Sequence, residues 1–200
     1  MSEFAPQRHE FRALALGASA GGFEALSTLL PALPRGLDAA VFVVLHRMRD
    51  RTSMLPRIFA PKCALAVCEP DDKQEVCSGT IYLAPSDYHM LIGAGPCIML
   101  SLDDLVNYSR PSIDVLFESA ADVYGRHLLA IVLSGANADG ADGAVAVHRA
   151  GGRVVVQDPR GARAPAMPQA VLDRMQPDAI LEVDAIAGLL ESLPHEEPVR

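Results

Sequence analysis

The pattern that most restricts the fold of this chain is a series of short apolar runs, each followed by a glycine-rich or polar turn and then an amphipathic segment. The strongest runs span residues 12–16, 40–45 and 128–133. Apolar residues in unbroken runs indicate strands that are covered on both faces. Strands that alternate with helices favour parallel pairing through right-handed crossovers. We therefore predict an α/β fold: a doubly wound, mostly parallel sheet with helices on both faces.

The middle of the chain follows another pattern. Short apolar runs begin at Ile81, Met90 and Cys97, and they are separated by the turn sequences Pro-Ser-Asp and Gly-Ala-Gly. Short β runs between such turns are typical of hairpins rather than of strand–helix units. We therefore predict a small β-hairpin region here.

The length of 200 residues is most simply one domain. We expect the folded domain to span residues 12–193. Flexible tails are predicted at residues 1–11 and 194–200.

Composition argues against several classes of protein. The formal net charge of −8 disfavours binding to the phosphates of nucleic acid, so we expect no nucleic-acid partner. No apolar stretch reaches the length of a membrane span, and the first residues lack the order of a secretory signal, so we predict no membrane insertion and a cytoplasmic location. The four cysteines show no metal-like spacing and are interpreted as reduced thiols.

The turn after the first strand reads GASAGG and places Ser19 among small residues. A Gly-x-Ser-x-Gly turn between a strand and a helix is the sequence form of a nucleophile elbow. A glycine-rich phosphate loop has similar spelling, because it also presents backbone N–H groups at a helix start. The motif alone leaves a nucleophile, a phosphate loop and a purely structural turn open.

Polar residues follow three of the predicted strands. Ser19 follows the first strand, His46 follows the second, and Asp139 lies in the turn after residues 128–133. Parallel strands end at one edge of the sheet, so a hydroxyl, an imidazole and a carboxylate would meet there. This set suits acyl transfer, in which the imidazole activates the hydroxyl and the carboxylate orients the imidazole. Backbone N–H groups near Ala20 and Gly21 would meet the oxyanion.

Each member of this set also has a structural interpretation. His46 could be a polar strand end, and Asp139 could only cap the helix that follows it. Asp142 is a rival acid, but it falls inside that helix. The rival histidines are His89, His127 and His148, of which His127 precedes a strand and His148 lies late in a helix. The chain order Ser, His, Asp differs from the Ser, acid, His order of α/β-hydrolase esterases, which disfavours an ordinary lipase-like esterase.

Several motifs in one order, between residues 12 and 193, give the chain a family resemblance. They are GASAGG from Gly17, VVLH ending at His46, IYLAPSDYHM from Ile81, RPSIDVLF from Arg110, LSGANADGADG from Leu133, and AGG…QDP ending at Pro159, followed by Met167 and Pro168. In this order they resemble the catalytic domain of CheB-type protein-glutamate methylesterases of bacterial chemotaxis.

The resemblance implies a serine hydrolase that demethylates glutamyl methyl esters of chemoreceptors and can also deamidate glutamines, with no cofactor. It implies that Ser19 is the nucleophile, His46 the base and Asp139 the acid. We add the backbone of Ala136 to the expected oxyanion donors. The implied partners are a methyl-accepting chemotaxis receptor or a related methylated signalling protein, and a separate receiver protein or methyltransferase.

The chain also departs from the family pattern. Ala20 stands where the family usually has threonine, so a catalytically weakened receptor-binding module of the same fold is the alternative function. A nucleotide- or phosphate-binding protein has less support, because His46 occupies the place of the acid that binds a ribose. Only eleven residues precede the first strand, so we expect no phosphoacceptor receiver domain and no phospho-regulation within the chain.

Positive charge is concentrated just after His46. We hypothesise that Arg47 and Arg49 attract an acidic receptor helix, whereas the alternative is a solvated surface turn. Arg110, at the start of the RPS motif, is a separate candidate for substrate binding. It could equally form an ion pair at a helix start.

Overall fold

A computed structural model describes residues 11–47 and 54–195 of the chain, and its elements alternate between strand and helix over most of that length. In chain order they are β1 (Ala13–Ala18), α1 (Gly22–Leu29), β2 (Ala40–Leu45), α2 (Leu55–Phe59), β3 (Ala66–Cys68), β4 (Thr80–Leu83), β5 (His89–Gly93), β6 (Cys97–Ser101), α3 (Ile113–Tyr124), β7 (Leu128–Val132), α4 (Ala141–Arg149), β8 (Arg153–Gln157), α5 (Ala166–Leu172), β9 (Ala179–Leu181) and α6 (Val183–Glu191).

Seven of the strands form one sheet in the order β3-β4-β2-β1-β7-β8-β9, and each neighbouring pair is parallel. β5 and β6 form a separate antiparallel hairpin. Every residue of β1, β2 and β7 is buried, as their continuous apolar sequences predict. The predicted fold class, a mostly parallel sheet with a small hairpin, is confirmed.

The prediction that the run from Ile81 belongs to the hairpin region is wrong. That run is β4, which pairs in parallel with both β2 and β3. Ile81 and Leu83 pack into the core on one face of the sheet, and Tyr82 packs into the core on the other. A strand buried on both faces belongs inside a parallel sheet, so its apolar character reflects the sheet and not a hairpin.

Two apolar layers cover the two faces of the sheet. The first lies under α1, α2 and α6, and contains Leu26, Leu29, Phe59, Ile186 and Leu190. The second lies under α3, α4, α5 and the hairpin, and contains Met90, Ile98, Phe117, Val147 and Val171. Helices on both faces make the sheet doubly wound.

The strand order reverses between β1 and β7, the two central neighbours. The helix after β1 packs on the first face, and the helix after β7 packs on the second. Connections that leave in opposite directions open a crevice at the carboxyl ends of these strands, where open α/β sheets bind ligands. The turns that contain Ser19 and Asp139 both begin at this crevice.

The remaining predictions concern Arg49, the two tails and the absence of a membrane span. Arg49 and most of both predicted tails lie outside the described residues. At the ends of the described chain, Phe11 is buried in the core, and His195 pairs with Leu37 in an antiparallel bridge. Among the residues described, none of the helices has the length and apolar character needed to cross a membrane.

Candidate active site

The turn that carries Ser19 is held by hydrogen bonds to both neighbouring strands. The Ser19 N–H donates to the Ser134 carbonyl at 2.9 Å, and the His46 N–H donates to the Ala18 carbonyl at 2.9 Å. The Gly22 N–H donates to the Ser19 carbonyl at 2.8 Å and closes the turn. β1 and β2 pair up to Ala18 and Leu45, so Ser19 and His46 are the next residues in that register.

The backbone conformation and the close packing at Gly21 explain why the turn needs a glycine there. Its φ of 79° is in the left-handed region, which disfavours any side chain. A Cβ at this position would lie 2.7 Å from Arg163 Cβ and 2.9 Å from Ser134 Oγ. The turn therefore packs directly against the segment after β7 and the loop before α5.

Ser134 connects these segments through its side chain. Its Oγ donates to the Ala20 carbonyl at 2.7 Å and accepts from the Ala164 N–H at 2.9 Å. Its own N–H donates to Gln157 Oε1 at 2.8 Å. Because Ser134 is buried, these bonds fix the backbone on which Ser19 sits.

His46 and Asp139 form a hydrogen-bonded pair, as the sequence predicts. His46 Nε2 lies 2.7 Å from Asp139 Oδ2. The side chain of Asp139 is fully buried, and that of His46 is 11% exposed. A carboxylate beside Nε2 places the ring proton on that nitrogen, which leaves Nδ1 as the basic atom.

Asp139 also caps a helix, but not the one that follows it. It accepts hydrogen bonds from the Ile113 N–H at 2.7 Å, the Asp114 N–H at 3.2 Å and Ser112 Oγ at 2.8 Å, all at the start of α3. The N-cap of α4 is Gly140, with no side-chain cap. Burial alone would raise the pKa of Asp139, but the bonds from His46, Ile113 and Ser112 outweigh it and hold that pKa below its ordinary value. The acid is therefore an ionised group at a helix N-terminus.

A second aspartate, Asp114, is buried beside the first. It accepts from the Gly143 N–H at 2.7 Å and from Asn107 Nδ2 at 2.7 Å. Burial, followed by the neighbouring Asp139, raises the pKa of Asp114 to about 7, although the bond from the Gly143 N–H lowers it. The two neighbouring carboxyls are thus shifted in opposite directions.

The hydroxyl within hydrogen-bonding distance of His46 Nδ1 belongs to Ser109, at 3.4 Å. Ser19 and His46 line the same cleft, but among residues 11–47 and 54–195 the structure shows no hydrogen bond between their side chains. Catalytic hydrogen bonds are often long in the absence of substrate. The structure therefore brings Ser19 and His46 together at one edge of the sheet. It places the Ser109 hydroxyl beside Nδ1 of His46, the nitrogen that Ser19 would use.

The cleft has a volume of about 540 Å³ and is open to solvent. Its lining residues are Ser19, Ala20, His46, Arg47, Asp87, Leu105, Tyr108, Ser109, Arg110, Pro111 and Asn137. On one rim Tyr108 is 98% exposed and Leu105 is 52% exposed. An open cleft with an apolar rim can admit a side chain that projects from another protein.

The two described arginines of the predicted substrate site are both ion-paired. Arg47 donates to Glu69 at 2.8 Å. Arg110 donates to Asp87 at 3.0 and 2.8 Å and to the carbonyls of Leu102 and Asp103 at 2.8 Å each. Both line the cleft, but their charges are partly balanced within the protein.

The predicted oxyanion donors differ in position. Ala20 lines the cleft and Gly21 is the N-cap of α1, while Ala136 is exposed in the turn after β7. Within the described part of the chain, the N–H groups of all three make no hydrogen bond to another residue. They are free to bind an anion, and their role stays a prediction.

The rival residues lie elsewhere. Asp142 pairs with Arg174 at 2.9 Å on the surface. His148 is in the last turn of α4, and His127 lies at the start of β7 beside Phe11, at the opposite end of the strands from Ser19. The structure therefore favours His46 and Asp139 over each of them.

Sequence reasoning missed the contacts made by Ser109, Asn137 and Asp114. Asn137 lies in the LSGANADGADG motif and Asp114 in the RPSIDVLF motif, so membership of these motifs could have indicated that both residues lie near the site. Ser112 is the N-cap of α3, and its Oγ accepts from the Val115 N–H at 3.4 Å. Its additional bond to Asp139 joins two motifs that are far apart in the chain.

Comparison with known proteins identifies the family. The family model described as CheB methylesterase matches residues 14–190. The chain belongs to the CheB methylesterase family. A Leptospira interrogans relative, named for protein-glutamate methylesterase and protein-glutamine glutaminase, is 38% identical over 179 residues, covering 90% of this chain and 93% of the relative.

Two further proteins support the same family assignment. A Methanosarcina mazei protein-glutamate methylesterase/protein-glutamine glutaminase is 38% identical over 181 residues, which cover 87% of this chain but 49% of that protein. The chain thus spans about half the length of this relative. The crystal structure of the Thermotoga maritima CheB methylesterase catalytic domain matches with a TM-score of 0.85 and 30% identity, covering 90% of this chain and 98% of that chain.

Proposed function

We propose that the protein is a serine hydrolase that demethylates glutamyl methyl esters on a chemoreceptor or a related signalling protein, and that it deamidates glutamines by the same chemistry. The observation that carries the proposal is the buried Asp139–His46 pair at 2.7 Å, whose second ring nitrogen faces the cleft that Ser19 lines. Family membership supports it, because relatives carry the names of both activities.

In the proposed reaction, His46 Nδ1 takes the proton of Ser19 as its Oγ attacks the ester carbonyl. The tetrahedral intermediate collapses, and the imidazolium protonates the departing methoxide, which leaves as methanol. His46 then takes a proton from water, which attacks the acyl-enzyme. Collapse of the second intermediate releases glutamate and restores the Ser19 hydroxyl. A glutamine substrate follows the same path with ammonia as the leaving group.

Asp139 contributes through charge and orientation. It holds the Nε2 proton of His46 and so keeps Nδ1 available as the base. Its lowered pKa keeps it ionised, so it stabilises the imidazolium formed in each step. The free N–H groups of Ala20 and Gly21 are the proposed oxyanion donors, supported by their place at the start of α1.

The proposed substrate is a side chain on another protein, and the proposed site of action is the cytoplasm. The open cleft and its apolar rim of Leu105 and Tyr108 support a protein side chain as the substrate. Arg47 and Arg110 stay candidates for contacts with acidic groups of the substrate. Because both are already ion-paired, we expect their contribution to be smaller than that of free cations.

Methanol release from methylated receptor membranes tests the proposal. The wild-type protein is expected to release methanol, and Ser19→Ala is expected to remain folded and to lose release by several orders of magnitude. Labelling by a fluorophosphonate probe is expected in the wild type and not in Ser19→Ala. Unchanged activity of Ser19→Ala would refute the assignment.

The same experiments address the alternative of a receptor-binding module without catalysis. Ala20, at the position where the family resemblance leads us to expect threonine, is the residue that motivates this alternative. Binding of methylated receptor without methanol release or probe labelling would favour it over the hydrolase.

A further inference from the structure

The loop before α3 brings a second hydroxyl to the proposed base. Ser109 Oγ lies 3.4 Å from His46 Nδ1, and Asn137 Nδ2 donates to the same Oγ at 3.3 Å. Asn137 Oδ1 in turn accepts from the Asp139 N–H at 3.3 Å. Ser109 and Asp139 therefore contact opposite nitrogens of one imidazole, and one asparagine side chain links them.

Ser109 is held in place by its own loop. The N–H groups of Val106 and Ser109 each donate to the other's carbonyl, at 3.2 and 2.9 Å. Asn107 Nδ2 is bound to the buried Asp114 at 2.7 Å, and the Asn107 carbonyl lies 3.4 Å from Ser109 Oγ. The position of the hydroxyl is thus fixed by the loop and by Asn137 rather than by His46 alone.

We propose that Ser109 is a positioning residue that binds His46 Nδ1 in both protonation states of the ring. When Nδ1 is unprotonated, the Ser109 O–H donates to it. When Nδ1 carries the proton taken from Ser19, the ring N–H donates to Ser109 Oγ, and the Ser109 O–H turns to the Asn107 carbonyl. Asn137 donates to Oγ in both states.

The hydrogen-bonding capacity of a hydroxyl fits this role. A serine oxygen has one proton and two lone pairs, so it can accept from Asn137 and His46 while it donates to Asn107. A bond to the charged ring is about twice as strong as one to the neutral ring. Ser109 therefore stabilises the imidazolium more than the resting base, and it keeps Nδ1 directed into the cleft. The inference rests on the proposed function, because it takes His46 as the base.

Kinetics test the proposal through Ser109→Ala and its conservative partner Ser109→Thr. Ser109→Ala is expected to lower kcat about 3- to 10-fold, because only the difference between the bond to the charged ring and the bond to the neutral ring changes the barrier, with KM changed by less than about twofold. Ser109→Thr retains the hydroxyl and is expected to stay within about twofold of the wild type. Ser101→Ala, at the end of β6, is the matched control, because it removes a hydroxyl that accepts from the Asp103 N–H and, among the residues that the structure describes, makes no hydrogen bond to His46.

The kinetic outcomes separate the roles of the hydroxyl. A higher kcat in Ser109→Ala would mean that Ser109 competes with Ser19 for Nδ1, and it would overturn the proposal. A change in KM alone would assign Ser109 to substrate binding, which would also overturn it. Failure of Ser109→Thr to restore kcat would show that the hydroxyl is not the active feature.

Nitrogen NMR of the histidine-labelled protein tests the contact without turnover. With the ring neutral, the Nδ1 resonance of His46 is expected to move downfield in Ser109→Ala, because an unprotonated nitrogen loses a hydrogen bond. It is expected to stay in place in Ser109→Thr and Ser19→Ala. An unmoved resonance in Ser109→Ala would overturn the proposal. If the wild type hydrolysed no ester, the proposed function would fail, while this comparison would still test Ser109.

Discussion

The buried carboxyl of Asp114 gives the protein a stability that depends on pH. Its side chain accepts from the Gly143 N–H and from Asn107, but it is also buried beside Asp139, and its pKa is raised from 3.8 to about 7. Asp114→Asn removes the titrating group and keeps an oxygen for Gly143. We expect this variant to lose much less stability than the wild type as pH rises toward and beyond neutrality.

The sign and the size follow from the two pKa values. Between about pH 4 and pH 7 the unfolded chain has released the Asp114 proton and the folded chain has kept it, so stability falls with rising pH in this window. Each pH unit in this window lowers the free energy of unfolding by about 1.4 kcal/mol, so the titration of Asp114 lowers it by about 4 kcal/mol over the full window. From about pH 5 to pH 8 the loss is about 3 kcal/mol by the same relation. The lowered pKa of Asp139 acts in the opposite direction, but only at lower pH.

Urea unfolding of the wild type and Asp114→Asn at several pH values between about 5 and 8 measures this difference. The control is Asp122→Asn, which removes an exposed aspartate from the same helix and is expected to follow the wild-type curve. Parallel curves for the wild type and Asp114→Asn would refute the reasoning, since they would mean that Asp114 titrates alike in the folded and unfolded chain.

Three further predictions concern packing, catalysis and charge. Gly17→Ala is expected to destabilise the fold by about 1–3 kcal/mol, because the new Cβ would clash with the Ile113 side chain of α3. Gly188→Ala, where a Cβ would meet nothing within 4 Å, is expected to stabilise it by up to about 1 kcal/mol; equal effects in chemical denaturation would contradict this. Asp139→Asn is expected to stay folded and to lose methanol release by about ten-thousand-fold, and a loss below tenfold would count against its role. Arg47→Glu is expected to weaken demethylation of a methylated receptor more than hydrolysis of a small ester, with Glu69→Gln as its partner control; equal losses on both substrates would argue against steering by charge.

Much of the fold could be predicted from sequence, because strands buried on both faces are continuously apolar. The runs at 40–45 and 128–133 became β2 and β7 with little change in their bounds. The error at Ile81 has a physical reason. A short apolar run between turns suits a hairpin strand as well as a parallel strand, and only its pairing with β2 and β3 separates them.

In the candidate site, too, some contacts could be predicted from the sequence and others could not. His46 and Asp139 could be predicted to meet because both follow strands of one parallel sheet, and this contact depends on topology alone. The contact of Ser109 with His46 could not be predicted, because it depends on the path of a loop that has no periodic pattern. For Asp139, the sequence left open whether it serves as the acid or as a cap of the following helix. That choice could not be made either, because the helix it caps begins more than twenty residues earlier in the chain.

That distant helix explains how a fully buried carboxylate can stay charged behind His46. Burial raises the pKa of Asp139, but the bonds from His46, from the Ile113 N–H at the start of α3 and from the Ser112 hydroxyl outweigh it and hold that pKa below its ordinary value. Asp114 lies beside it with fewer donors, and its pKa is raised by burial and by the charge of Asp139. The donors to Asp139, together with its contact with His46, thus favour ionisation of Asp139 over that of Asp114. On the acid side of neutrality we expect the cluster to carry one negative charge rather than two, on Asp139, the carboxylate that contacts His46. A single counter-charge in that position stabilises the imidazolium without the cost of a second buried anion.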